Sequence, residues 1–197
     1  MMLVIPGVLD APALAELRAL LEAPGAEWVD GRATAGHQGA PVKANQQIDE
    51  RSATAARGQA IVAAALERHP TFISAALPNV LYPPLFNRYA GGMAFGPHVD
   101  GGVRLHPRDG RKLRTDLSAT LFLADPGSYD GGELVVDGPS GTSSVRSSAS
   151  AGAASTPGMT SIMFRTGSSG RPWPCVPGRE PHGRRRTGSA RRSSCGR

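Results

Sequence analysis

The chain has 197 residues and a net charge of +6, with 40% hydrophobic, 19% charged and 5% aromatic residues, 25 Gly and 17 Pro, which suits one globular domain and excludes a large multidomain enzyme. No run approaches the roughly 18 to 20 apolar residues that cross a bilayer, and Pro6 and Asp10 interrupt the N-terminal run, so a cytoplasmic protein with no membrane partner is expected. Residues 1–136 carry 12 Lys and Arg against 14 Asp and Glu, while residues 137–197 carry ten Arg, no Lys and only Asp137 and Glu180, so the basicity sits in the tail and the body offers nucleic acid no basic face.

Asp10 can cap a helix over APALAELRALLEA, with Pro12 in its first turn and Leu14, Leu17 and Leu21 forming an apolar stripe. Residues 28–42 (WVDGRATAGHQGAPV) read as a turn or irregular strand pair, with Trp28 a core or loop anchor and Asp30 capping the turn after it. A second, Ala-rich helix is expected from about Glu50 to Arg68, ended by His69-Pro70 because the residue before proline avoids the α region. From Val80 the runs VLYPPLFNRY, GGMAFGPHVD, RTDLSATLFLAD and GGELVV are short, apolar or alternating, and punctuated by Gly, Pro and Asp. That pattern predicts an α+β, mainly β fold, with antiparallel strands in a sandwich or jelly roll and two helices bracing one face.

After Val136 the composition changes, with 13 Ser, 10 Gly and 10 Arg among the remaining residues, and only Ser161–Arg165 resembles a strand. Residues 1–136 are therefore taken as the folded body and 137–197 as a tail expected to be mostly disordered, because it cannot bury enough apolar surface to offset its ordering entropy. A body ending at 136 would leave an unpaired sheet edge, a fold incomplete at the C-terminus. Both cysteines, Cys175 and Cys195, lie in the tail, so the body has no thiolate ligand or cysteine nucleophile.

The constellation with metal chemistry is Gly96-Pro97-His98-Val99-Asp100-Gly101-Gly102. On a strand, residues i and i+2 point to one side, so His98 and Asp100 would present an imidazole nitrogen and a carboxylate oxygen together. A His-x-Asp pair joined by a distant His forms the facial triad of non-haem Fe(II) oxygenases; the alternative is a surface or turn pair. Asn87 and Tyr89 share a strand face and either donate to a bound oxoacid or form a satisfied polar pair at a sheet edge. Arg88, Gly91-Gly92 and Arg114-Thr115-Asp116 flank the same region. His37, His69 and His106 have no partner at ligand spacing and read as surface or turn residues. Ser118 and Ser128 lack a G-x-S-x-G context, and no phosphate-binding glycine motif is present.

The runs PPLFNRYAGGMAFGPHVDGGVR and LRTDLSATLFLADPGSYDGGELVV, with WVDGRATAG at 28–36 and VKANQQ at 42–47, resemble the PKHD-type hydroxylases, bacterial Fe(II)/2-oxoglutarate/ascorbate-dependent dioxygenases of the prolyl 4-hydroxylase class. The resemblance covers about residues 2–136. It implies a double-stranded β-helix, Fe(2+) held first by His98 and Asp100, L-ascorbate as a cofactor, 2-oxoglutarate and O2 as cosubstrates, and a small-molecule or peptide substrate. The family also carries a late-strand histidine and, about ten residues on, an arginine for the distal carboxylate of 2-oxoglutarate. Thr156–Gly170 has no histidine, and His182 with Arg192 has the spacing only within an Arg-rich tail. The abrupt change after Val136 suggests a tail translated in a shifted reading frame. The resulting expectation is an iron- and 2-oxoglutarate-dependent dioxygenase impaired by missing C-terminal site residues. The alternatives are an inactive truncated remnant, or nonspecific anion or nucleic-acid binding through the basic tail.

Overall fold

The computed structural model describes residues 2–37, 39–107, 109–138, 141–145 and 159–168. Asp10 opens helix α1 (Ala11–Glu22) as expected, its carboxylate accepting from Ala13 N at 2.8 Å, and Leu17 and Leu21 are its buried face. Strand β1 (Trp28–Asp30) runs into a 3-10 turn, Gly31–Thr34, where Asp30 accepts from Arg32 N at 2.9 Å. Trp28, on β1, packs half-buried against the core, its Nε1 donating to Leu21 O at 3.1 Å. A second short turn, Ala40–Val42, leads to β2 (Lys43–Ala44) and β3 (Gln46–Ile48).

The second helix, α2 (Ala53–Glu67), starts where the Ser52 hydroxyl accepts from Ala55 N at 3.0 Å, three residues later than expected. His69-Pro70 does end it, but a third helix that the sequence reading missed begins there: α3 (Pro70–Ala76). Pro70 sits in the first turn, where its missing N–H costs nothing, and His69 Nδ1 accepts from Phe72 N at 3.3 Å. A proline after a helix is as good a start signal as a stop.

The run VLYPPLFNRY is split by Pro83-Pro84 into β4 (Val80–Leu81) and β5 (Leu85–Tyr89), since proline cannot donate to a ladder. Then come β6 (Ala94–Phe95), β7 (Val103–Leu105), the long β8 (Lys112–Phe122), β9 (Leu134–Gly138), β10 (Gly141–Val145) and β11 (Met159–Ser168). The main sheet has seven strands in the order β1-β3-β5-β11-β8-β7, with β4 also on β11, and two two-stranded ribbons, β2 with β6 and β9 with β10, stand beside it. Every pairing is antiparallel. The α+β, mainly β class therefore holds.

Ser161–Arg165, the piece of the tail that reads as a strand, is the middle of β11, which pairs with β5 on one side and β8 on the other, and the tail also supplies β10 and the end of β9, which the composition did not suggest. Residues 159–168 thus fill the gap that the body would otherwise leave between those strands. Most of the rest of 137–197 lies outside the described residues.

The core gathers Leu17 and Leu21 of α1, Ile48 of β3, Ala55, Val62 and Leu66 of α2, Phe72 of α3, Phe86 of β5 and Leu123. Helix and sheet come close at Gly58, where an added Cβ would lie 2.7 Å from Phe86 Cζ. On β8, Ala119 and Leu121 pack against this core while Leu117 is exposed. The register shifts by one residue between Leu117 and Thr115, a bulge that changes the side a residue faces. Among the described residues, no helix is long and apolar enough to cross a membrane.

Candidate metal centre

His98 and Asp100 do not lie on a strand. The i, i+2 spacing predicts a strand there, but β6 ends at Phe95 and residues 96–102 form the loop to β7. Pro97 lacks a donor and three glycines flank the pair, which weakens ladder pairing. The two side chains nevertheless converge, with His98 Nε2 3.5 Å from Asp100 Oδ1, while Val99 between them is 86% exposed. His98 Nδ1 lies 2.7 Å from Gly96 O, and the imidazole stacks on the Phe95 ring at 3.6 Å between centroids and 10° between planes. The far end of the loop is tied to β8, because Thr115 donates its hydroxyl to Gly101 O at 2.7 Å and its N–H to Gly102 O at 2.9 Å. Arg114 and Asp116 pair with each other on the surface, Nε to Oδ1 at 2.5 Å.

The donors suit a divalent cation. Adjacent ligands of an octahedral ion with bonds of about 2.1 Å stand about 3 Å apart, so a 3.5 Å pair needs only a small closure to share one. An imidazole nitrogen with one carboxylate oxygen is also the borderline-hard set that suits iron rather than a thiolate metal. Among the described residues, no cluster of three or more His, Cys, Asp or Glu forms a complete site. His182 and Arg192, the tail's only candidates for the late ligand and the carboxylate-binding arginine, lie outside the described residues, as do Cys175 and Cys195.

Next to this pair lies a buried polar network that the sequence reading did not find. Lys43, Asn45 and Gln47 are 7%, 5% and 0% exposed. The Lys43 ammonium donates to Gln47 Oε1 at 3.1 Å and reaches Thr34 Oγ1 at 3.4 Å, and the Thr34 hydroxyl donates to Gln47 Oε1 at 2.7 Å. Burial, with Arg104 nearby, lowers the Lys43 pKa to about 8 despite the opposing pull of Glu50 and Asp30. The same ammonium lies 5.2 Å from the centroid of the Phe95 ring. Asn45 donates to Asn87 Oδ1 at 3.2 Å, and its own Oδ1 has no hydrogen-bond partner among the described residues. Gly31 has to be glycine here, because a Cβ on it would sit 1.8 Å from that oxygen. Period two puts Lys43, Asn45 and Gln47 on one face, but Gln46 between them is polar as well, so the sequence carries no alternation that marks this face as buried.

Asn87 and Tyr89 do share the face of β5 expected of them. Asn87 is 4% exposed and spends its amide on Asn45 and on Leu85 O at 3.3 Å. Burial pushes the Tyr89 hydroxyl pKa up, against a weaker opposing hydrogen bond from Asn45, and keeps the group a proton donor. Arg88 donates to Gln46 Oε1 at 2.9 Å from Nε and lies over Trp28 at 4.3 Å. Of the remaining histidines, His69 caps α3, and His106 Nδ1 lies 3.0 Å from Asp109 Oδ1 in a turn.

Comparison with known proteins adds the decisive observation. A hydroxylase described as PKHD-type from Cupriavidus metallidurans is 65% identical over 146 residues, 74% of this chain and 64% of that protein. PKHD-type hydroxylases of Paraburkholderia phymatum and of Xanthomonas axonopodis pv. citri are 59% and 55% identical over the same shares of chain and relative. The chain is a homologue of the PKHD-type hydroxylases. No protein-family model matches it. It spans about 64% of the length of these PKHD-type hydroxylases, so the match is to a part of each of them.

Proposed function

We propose that the chain carries the site of an iron- and 2-oxoglutarate-dependent dioxygenase, with His98 and Asp100 as two of its metal ligands and a double-stranded β-helix as its full architecture. The observation that supports this reading is the 3.5 Å approach of His98 Nε2 to Asp100 Oδ1 in a chain 65% identical to a PKHD-type hydroxylase. Iron with 2-oxoglutarate, O2 and ascorbate supplies the oxidation of an unactivated C–H bond on a small-molecule or peptide substrate in the cytoplasm. The residues of the chain do the rest. His98 and Asp100 fix the cation on one side and leave its other positions to cosubstrates. Asn87 is buried, with its amide engaged by Asn45 and Leu85 O, so Tyr89 is the member of that pair to donate to a bound oxoacid.

Turnover by this chain is expected to be low. Two protein ligands hold a cation less firmly than three, and without the late arginine the distal carboxylate of 2-oxoglutarate loses a charge-assisted, bidentate hydrogen bond. The test is succinate formation from 2-oxoglutarate with Fe(II) and ascorbate, measured for this chain, for His98→Ala and Asp100→Ala, and for a version whose residues 137–197 are replaced by strands carrying a His and an Arg ten residues apart. The replaced version is expected to exceed the parent strongly, and both alanine variants should lose Fe(II) binding. Metal binding in both alanine variants equal to the parent's would overturn the ligand assignment. Equal turnover of parent and replacement would show that the tail supplies a working third ligand.

A further inference from the structure

His98 belongs to a loop with no ladder pairing, where an imidazole with two free torsions would normally sample several orientations and both neutral tautomers. Two contacts remove those freedoms. The parallel stack on Phe95, 3.6 Å between centroids and 10° between planes, fixes the plane of the ring. Gly96 O, 2.7 Å from Nδ1, fixes its rotation within that plane and requires the proton on Nδ1, because a carbonyl only accepts. Nε2 is then left with its lone pair facing the Asp100 carboxylate side of the loop.

Phe95 can do this because it is itself held. Its backbone pairs with Lys43 in the β2–β6 ribbon, and Gly96 N extends the pairing to Val42 O at 2.8 Å. The turn at Gly39 closes over the ring, where a Cβ would lie 3.3 Å from Phe95 Cζ. The Lys43 ammonium lies 5.2 Å from the ring centroid and is anchored by Gln47 and Thr34. Gly96 joins the two contacts, since its N–H holds the ribbon while its carbonyl holds the imidazole. A Cβ on Gly96 would press within 3.1 Å of Val42 Cβ.

We propose that Phe95 is a positioning residue: gripped by the β2–β6 ribbon, Gly39 and Lys43, it presets the His98 imidazole in the Nδ1–H tautomer with Nε2 open to a divalent cation. The proposal rests on the metal-ligand reading above, but its first consequence concerns the metal-free chain.

The experiment uses the full chain at pH 8 and two readouts. Long-range proton–nitrogen NMR correlations of the histidine rings report the tautomer of His98, assigned by the signal lost in His98→Gln. Mn(II) titration followed by electron paramagnetic resonance reports cation affinity. The parent should show a single Nδ1–H tautomer. Phe95→Leu should show a mixture, with Mn(II) affinity lower by roughly 10- to 100-fold, the usual cost of losing a group that orients a ligand. Phe95→Tyr, which keeps the flat ring, should restore both. If Phe95→Leu does not fold, Phe95→Met makes the same comparison with a longer side chain. A mixed tautomer in the parent, or parent-like tautomer and affinity in the Leu or Met variant, overturns the proposal. A locked tautomer released by the substitution, in a parent that binds no Mn(II), upholds the positioning role and defeats the metal-ligand reading instead.

Discussion

Lys43 holds a positive charge in a site that water barely reaches, on the oxygens of Gln47 and Thr34. Its folded pKa, lowered from 10.5 to about 8, makes it a pH probe of this part of the fold. Below pH 8 both folded and unfolded chains hold the proton. Between about 8 and 10.5 the unfolded chain still holds the proton that the folded one has released, so stability rises with pH through that window, by on the order of 3 kcal/mol in all. Urea unfolding of the parent is expected to shift to higher midpoints from pH 8 to 10, and Lys43→Met should lack that rise. Parallel profiles would show that Lys43 is not desolvated as described. Legibility at this scale was uneven. The His98–Asp100 pair stood out because two ligand types occur two residues apart, yet they converge through a glycine-flanked loop rather than through strand alternation. Lys43, Asn45 and Gln47 went unread because buried polar side chains look like surface ones until their partners, far off in sequence, are known.

The elements show the same division between local and distant causes. Asp10 announces α1 because a cap is a contact across three residues, and Asp30 announces its turn through a contact across two, whereas the Ser52 cap puts the start of α2 three residues past the expected one. The strands were legible as a class but not in their ends: Pro83-Pro84 breaks its run locally, whereas the length of β6 is set by the short partner it finds in β2. Helix α3 was missed because Pro70 serves two helices at once. The packing of α2 on the sheet yields a prediction. Gly58→Ala would gain about 0.5–1 kcal/mol of helix propensity, but its Cβ would meet Phe86 Cζ at 2.7 Å and Leu17 Cδ1 at 3.3 Å, both in the buried core. Overpacking of this kind typically costs 1–3 kcal/mol. A net loss of about 1 kcal/mol is expected in urea unfolding, and an unchanged or higher midpoint would mean that the helix can move off the sheet freely.

For the whole molecule, the change in composition sets residues 137–197 apart from the rest. The match to PKHD-type hydroxylases takes in 146 residues, and the change to Arg, Ser and Gly follows Val136. If the tail is read in a shifted frame, one of the other two frames of the coding DNA downstream of codon 136 will encode a strand with the missing His and, ten residues on, an Arg. Sequencing that DNA and finding neither would end the idea. No reading of this chain alone could have located β11 in the middle of the sheet, because its partners, β5 and β8, lie some 70 and 40 residues earlier and pairing of that range leaves no local pattern. That central place also governs how the protein is made. A ribosome releases β5 and β8 long before Met159, so each emerges with an unpaired flank, and the two can be joined only after β11 has left the tunnel. During that interval the nascent chain presents two open templates to any neighbour, and its solubility depends on how quickly ten late residues arrive.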